Sequence, residues 1–241
     1  MKFDDLSHKK CVSIIVFYKN VGNALNDTIK EILYALEKLP KIDYQIVLVD
    51  DGSTEAVTKD FEISSDNFVR VRLNESIGIS GAILAGVEHA LYEDILIIPG
   101  HDMYDFTAII NVISLLGSAR IILGSRNNLD SERPFAKRIA SRIMRDLYRH
   151  IFYYFVGDIH GLAIYQKADI KRFLRPTDGH AQGILIVTNV LNEGGLLVQT
   201  LAPIKLGHKI SRSKKLSNNF PSLKQVYKII CILFLLKSRK K

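Results

Sequence analysis

Between residues 12 and 123, short apolar, β-branched runs alternate with stretches whose apolar residues recur at helical spacing, and no other feature constrains the fold as much. The runs at 12–18, 44–49, 68–73, 95–98 and 120–123 read as strands. The stretches at 23–39, 79–91 and 106–116 read as helices, the first with Leu25, Ile29, Ile32, Leu33 and Leu36 on one face. Strands joined through helices predict an α/β fold with a mostly parallel sheet covered on both faces. In such sheets the ligand crevice lies at the carboxyl ends of the strands. Polar clusters at 50–53, 100–105 and 124–128 follow directly on strands, which places a binding site there.

The second half reads differently. Residues 134–155 form a long helical pattern, basic early and aromatic late. Leu162–Gln166 is a short strand, 184–191 a helix and 197–203 a last strand. A basic loop at 208–219 precedes a helix at 222–236 that is apolar nearly all round. A chain of 241 residues with 47% apolar content can bury a sizeable core. The simplest organisation is one domain over 1–219 and a peripheral C-terminal helix with a basic tail over 220–241.

Charge divides the chain unevenly. The net charge is +8, yet no acidic residue follows Glu193, while 11 Lys and Arg do. The remainder would be slightly acidic, so the basic end calls for an anionic partner. The two cysteines, Cys11 and Cys231, lie too far apart in sequence to suggest a metal knuckle, and a reducing cytoplasm is the default setting. Residues 1–10 are too polar for a secretory signal. The longest apolar run, 229–236, is short of the ~20 residues that cross a bilayer.

The sharpest motif is Val47-Leu48-Val49-Asp50-Asp51-Gly52-Ser53-Thr54, a buried strand ending in two carboxylates and a tight turn. A carboxylate there can accept a hydrogen bond from the N–H of a nucleotide base, and Gly52 lets the backbone approach a ligand closely. The same residues would also serve as an Asx-type turn with a Ser/Thr helix cap. Downstream come Gly78-Ile79-Ser80-Gly81-Ala82-Ile83 with Gly86, then Pro99-Gly100-His101-Asp102-Met103-Tyr104. Gly124-Ser125-Arg126 precedes the basic helix start with Lys137, Arg138, Ser141 and Arg142, and Asp158-Ile159-His160-Gly161 follows.

In order and spacing these motifs resemble the family 2 glycosyltransferases, and within them the dolichyl-phosphate mannose synthase and polyprenyl-phosphate glycosyltransferase group. The resemblance covers about 12–215. It implies a Rossmann-like nucleotide-diphospho-sugar transferase fold and an inverting transfer from a UDP- or GDP-sugar. It also implies that Tyr18, Asp50, Asp51, Gly52, Ser53 and Gly78 bind the donor, with Asp51 on the base. Asp102 would hold Mg²⁺ or Mn²⁺ at the donor diphosphate, hard cations suited to oxygen ligands. The chain departs from the family's Asp-x-Asp-x-Gln here, since Gly100 replaces the first Asp and Tyr104 the Gln; His101 could stand in as a ligand or a phosphate donor. Arg126, Lys137 and Ser141 match the spacing that holds an acceptor phosphate, a task suited to the Arg fork. Asp158 would orient the donor sugar or act as a base towards a hydroxyl. Ser213-Lys214 is similar to a basic segment that closes over the donor phosphates, with His208 at the place of that segment's Arg.

The acceptor implied is a polyprenyl phosphate at the cytoplasmic membrane face, and the alternative is a glycan hydroxyl with Asp158 as base. A non-catalytic nucleotide-sugar-binding protein is a third reading, prompted by Gly100. Ile139, Ile143, Leu147, Ile151 and Phe155 make one face of the long helix apolar. The run 229–236 followed by Lys237, Arg239, Lys240 and Lys241 suits peripheral binding to an anionic membrane at the inner face of the plasma membrane. Nucleic acid ranks last, because the basic loop at 205–219 lacks interleaved aromatics.

Overall fold

A computed structural model describes residues 10–54, 67–126, 128, 142, 145, 146, 149, 150, 156, 158, 159 and 161–205. Among them β1 (Lys10–Tyr18), α1 (Ala24–Glu37), β2 (Ile42–Asp50), β3 (Phe68–Arg72), α2 (Gly78–Glu88), β4 (Asp94–Pro99), α3 (Phe106–Ile113) and β5 (Ile121–Ser125) follow the predicted alternation. Then come β6 (Leu162–Gln166), α4 (Lys167–Phe173), a 3₁₀ turn at Pro176–Ala181, α5 (Gln182–Asn192) and β7 (Leu197–Leu201). The strands form one seven-stranded sheet in the order β3-β2-β1-β4-β6-β5-β7.

Pairing is parallel from β3 through β4 and between β5 and β7; only β6 runs against its neighbours. The mostly parallel sheet expected from sequence is therefore present. The antiparallel insertion of β6 between β4 and β5 was not foreseen, because the period of a strand carries no information about its direction.

Strand alternation divides the core between the two faces. Ile14, Val16, Ile46, Leu48, Leu96 and Ile98 pack with α1 and α3. Ile15, Val47, Val49, Ile95 and Ile97 pack with α2, α4 and α5. Strands buried on both faces must be apolar nearly throughout, which is why they read as almost continuous runs; the buried Ser13 and Gln45 hydrogen-bond each other (2.9 Å). In α1, the buried residues Leu25, Ile29, Ile32 and Leu36 form the expected stripe.

Two helices end earlier than their apolar period suggests. The stretch at 79–91 leaves the helix after Glu88, where the buried Gln45 amide donates to His89 O (3.1 Å) and accepts from Leu91 N–H (2.7 Å). The stretch at 106–116 leaves the helix after Ile113, but its tighter turns keep Leu116 buried, so the apolar spacing runs on. The last strand stops at Leu201, short of residue 203. In the long helix expected at 134–155, Arg142, Arg145, Asp146, Arg149 and His150 are helical and exposed. Its apolar stripe, Lys137 and Ser141, and everything from residue 206 on, including the segment 220–241, lie outside the described residues.

Candidate active site

The polar clusters converge on one edge of the sheet. Tyr18 pairs with Asp50 across β1 and β2, and Phe17 pairs with Pro99 across β1 and β4. The two turns therefore leave the carboxyl edge on either side of Tyr18. Asp51 N–H donates to Tyr18 O and Gly100 N–H to Phe17 O, each at 2.9 Å. Burial pushes the Tyr18 phenol up, and the neighbouring Asp50 charge pushes it further, against the opposing pull of Arg70 and Arg72.

Asp50 and Asp51 are both buried but have different tasks. Asp50 Oδ1 accepts from Ser53 N–H (2.8 Å), the Asx turn of the sequence reading, while Arg72 Nε stands 3.8 Å from Oδ2. Arg72 also donates to Ser53 O (3.1 Å), and Asn20 N–H to Ser53 Oγ (3.0 Å). Asp51 reaches across to α2, whose own N-cap residue, Ile77, has no side chain able to cap it. Its carboxylate accepts from Ile77 N–H (2.8 Å), Gly78 N–H (3.2 Å) and Ser76 Oγ–H (2.7 Å). A carboxylate at a helix N-terminus satisfies orphan donors and the helix dipole together. Gly52 makes this approach possible: its φ is +67°, and a Cβ there would stand 2.7 Å from the Glu75 and Ser76 backbone.

Asp102 follows Gly100 in a left-handed conformation, φ +54°. Its N–H donates to Thr28 Oγ1 (2.8 Å), and its Oδ1 accepts from Lys205 Nζ (2.5 Å). Lys205 also contacts Glu31 Oε1 (2.8 Å), and Glu31 Oε2 accepts from Phe106 N–H (2.8 Å) at the start of α3. Partial burial pulls the Lys205 ammonium down, but its hydrogen bonds to Asp102 and Glu31 outweigh this and leave it raised. Lys205 reaches the site because Ile204 bridges Tyr104 and Lys205 N–H donates to Met103 O (3.0 Å).

Arg126 and Asp158 are brought together as each other's partner. Arg126 Nε and Nη2 donate to Asp158 Oδ2 and Oδ1 at 2.6 and 2.9 Å, with side chains 8% and 15% exposed. The guanidinium expected at the acceptor phosphate and the carboxylate expected at the sugar thus form one bidentate pair. Burial pulls the Arg126 pKa down, but the hydrogen bonds and charge of Asp158, with help from Tyr104, leave it raised.

The described residues do not fit a divalent-ion site. They contain no group of three His, Cys, Asp or Glu side chains able to hold one. Asp102 is bonded to Lys205, and a Cβ at Gly100 would stand 2.9 Å from Tyr18 Cβ, so a carboxylate-bearing residue there would need the neighbour to move. A recess lined by Lys10, Cys11, Tyr92 and Asp94 opens at the opposite, amino edge of the sheet and brings none of these groups together.

Sequence reasoning missed Lys205, Glu31, Thr28, Arg72 and Asn20. The one available signal was the acid-free stretch after Glu193, of which Lys205 is the first cation.

The family model described as "Glycosyl transferase family 2" matches residues 13–174. The chain belongs to glycosyl transferase family 2. An undecaprenyl-phosphate 4-deoxy-4-formamido-L-arabinose transferase from Pseudomonas fluorescens (strain Pf0-1) is 38% identical over 82 residues, 32% of this chain and 24% of that protein. The match thus spans about a quarter of the curated relative's length. Among solved structures, a mannosyltransferase from Pyrobaculum calidifontis in complex with GDP-Man and Mn²⁺ superposes with TM-score 0.59 at 16% identity, over 81% of this chain and 56% of its own. Glucosyl-3-phosphoglycerate synthase from Mycobacterium tuberculosis, in complex with Mn²⁺, UDP-Glc and phosphoglyceric acid, gives TM-score 0.63 at 11% identity, over 95% and 80%. These likenesses establish the fold, the nucleotide-sugar transferase architecture implied by the motifs.

Proposed function

We propose that the chain transfers a glycosyl group from a UDP- or GDP-sugar to a polyprenyl-phosphate-type lipid at the cytoplasmic face of a membrane. The observation that carries the reading is the convergence of Tyr18, Asp50–Ser53, Asp102, Arg126 and Asp158 on one sheet edge in a family 2 chain. The lipid-phosphate acceptor is supported by the name of the curated relative and by the spacing of Arg126, Lys137 and Ser141.

In this reading Tyr18, Asp51 and the turn through Gly52 and Ser53 receive the nucleoside, and Gly78 shapes the floor at the start of α2. A phosphate acceptor is already an anion, so it needs cations and donors to orient it more than a base. Arg126, held in one orientation by Asp158, offers its remaining donors with Lys137 and Ser141. Any divalent ion of the kind the neighbours hold would first have to displace Lys205 from Asp102, and no step here depends on one.

Transfer to a glycan hydroxyl would need Asp158 as base. Both of its oxygens already accept from Arg126, so it would have to leave that pair to take a proton. Membrane association would rest on 222–241. No helix among the described residues is long and apolar enough to cross a bilayer.

The test incubates the purified full chain with radiolabelled UDP- and GDP-sugars and a short-chain polyprenyl phosphate. Label moving into the lipid fraction, and not onto an oligosaccharide, is expected. Transfer to hydroxyl acceptors only, or nucleotide-sugar binding without turnover, would overturn the lipid-phosphate reading.

A further inference from the structure

We propose that Lys205 is a built-in donor of the nucleotide-sugar site, its ammonium held by Glu31 and Asp102 so that its third N–H is offered to the donor's diphosphate where a divalent ion would otherwise stand. The inference rests on the nucleotide-sugar reading above and adds to it a residue outside every motif read from the sequence.

Three observations support it. Asp102 lies on the turn that leaves β4, and the carboxyl ends of β4 and β2 are two strands apart, about 10 Å along the sheet edge at ordinary strand spacing. In the nucleotide-sugar reading, a group on Asp102 is therefore offset from the nucleoside turn along the same edge, where the proposal sets the diphosphate. Second, the cation is fixed in direction. An ammonium has three N–H groups. Asp102 and Glu31 take two of them, Glu31 is itself anchored by Phe106 N–H, and the backbone of Lys205 is tied to Met103. The third N–H is left for a ligand, and the side chain is 24% exposed. Third, the metal motif keeps one carboxylate, Asp102, and that one is occupied. Gly100 carries no carboxylate and sits against Tyr18 and Leu25, while Asp102 already has its counter-ion. A preorganised, charge-assisted N–H donor at a leaving diphosphate stabilises developing charge without reorganisation.

The experiment measures binding of UDP and GDP to the full chain by calorimetry, in EDTA and in Mn²⁺, with Mn²⁺ occupancy followed separately by electron paramagnetic resonance. The variants are Lys205→Met, Lys205→Arg and the charge-balanced pair Lys205→Met with Asp102→Asn. The wild type is expected to bind one nucleotide with the same affinity in EDTA and in Mn²⁺. Lys205→Met is expected to lose about tenfold or more in EDTA, the size of one charge-assisted hydrogen bond, and to acquire protein-bound Mn²⁺ at the freed Asp102. The charge-balanced pair, which leaves no unpaired acid beside Glu31, is expected to show the affinity loss without the Mn²⁺ signal. Lys205→Arg is expected to keep most of the affinity. A wild-type affinity that collapses in EDTA, or a folded charge-balanced pair that binds as tightly as wild type, would overturn the assignment. Failure of UDP and GDP to bind the wild type under any condition would instead overturn the nucleotide-sugar reading beneath it.

Discussion

Removing either member of the Arg126–Asp158 pair should destabilise the fold far more than removing both. The two side chains are 8% and 15% exposed and joined by two charge-assisted hydrogen bonds at 2.6 and 2.9 Å. Deleting one leaves the other charged and desolvated without its bidentate partner, a loss of about 3–5 kcal/mol. For a chain of this size, 1 kcal/mol moves the midpoint by roughly 2–4 °C, so Arg126→Met or Asp158→Leu should each lower it by roughly 6–20 °C. The double variant removes both charges and should lie within about 2 kcal/mol of wild type, giving a coupling energy of about 4 kcal/mol or more. Urea denaturation of the four proteins, with thermal melts alongside, measures it. Single losses that add to the double loss within about 0.5 kcal/mol would refute the buried-pair reasoning. Transfer to polyprenyl phosphate, followed in the same set, should fall with Asp158→Asn even where the fold survives, because Arg126 loses its orientation.

Asp51→Ala should cost about 1–2 kcal/mol in urea melts without any nucleotide, because α2 loses its N-terminal partner; an unchanged midpoint would show that the α2 cap contributes nothing. Gly52→Ala forces a side chain into a left-handed position 2.7 Å from backbone, and should cost about 1–3 kcal/mol and weaken UDP or GDP binding with it. Burial raises the Asp94 carboxyl above its ordinary value, against the hydrogen bond from Gln166. A raised carboxyl binds its proton more tightly when folded, so stability falls as pH rises from about 3.8 through the folded value. Asp94→Asn should then be slightly more stable than wild type at pH 7, by less than about 1 kcal/mol given its partial exposure, with no gain at pH 3.

Much of the architecture was legible residue by residue. Strand and helix periods are local, so β1 to β5 and α1 to α3 stand where the apolar spacing put them, within a few residues at their ends. The turn at Asp50–Ser53 was readable too, since an Asx turn is closed by Asp50 and Ser53 alone. The direction of β6 was not, nor was the short helix α4. The former follows from which sheet edge the chain returns to after residue 126, and the latter from packing on Ile170, which a seven-residue helix makes without a full apolar period.

The sequence by itself determined that a parallel-type sheet would carry its polar groups on one edge, because strand ends and turns are written in adjacent residues. Only the tertiary structure decided which of those groups face one another. Asp51 is given to α2 across 26 residues, Asp158 to Arg126 across 32, and Asp102 to Lys205 across 103. Such pairings depend on strand order and crossover path. Residues far apart in the chain become neighbours when the sheet closes, and no local period records that.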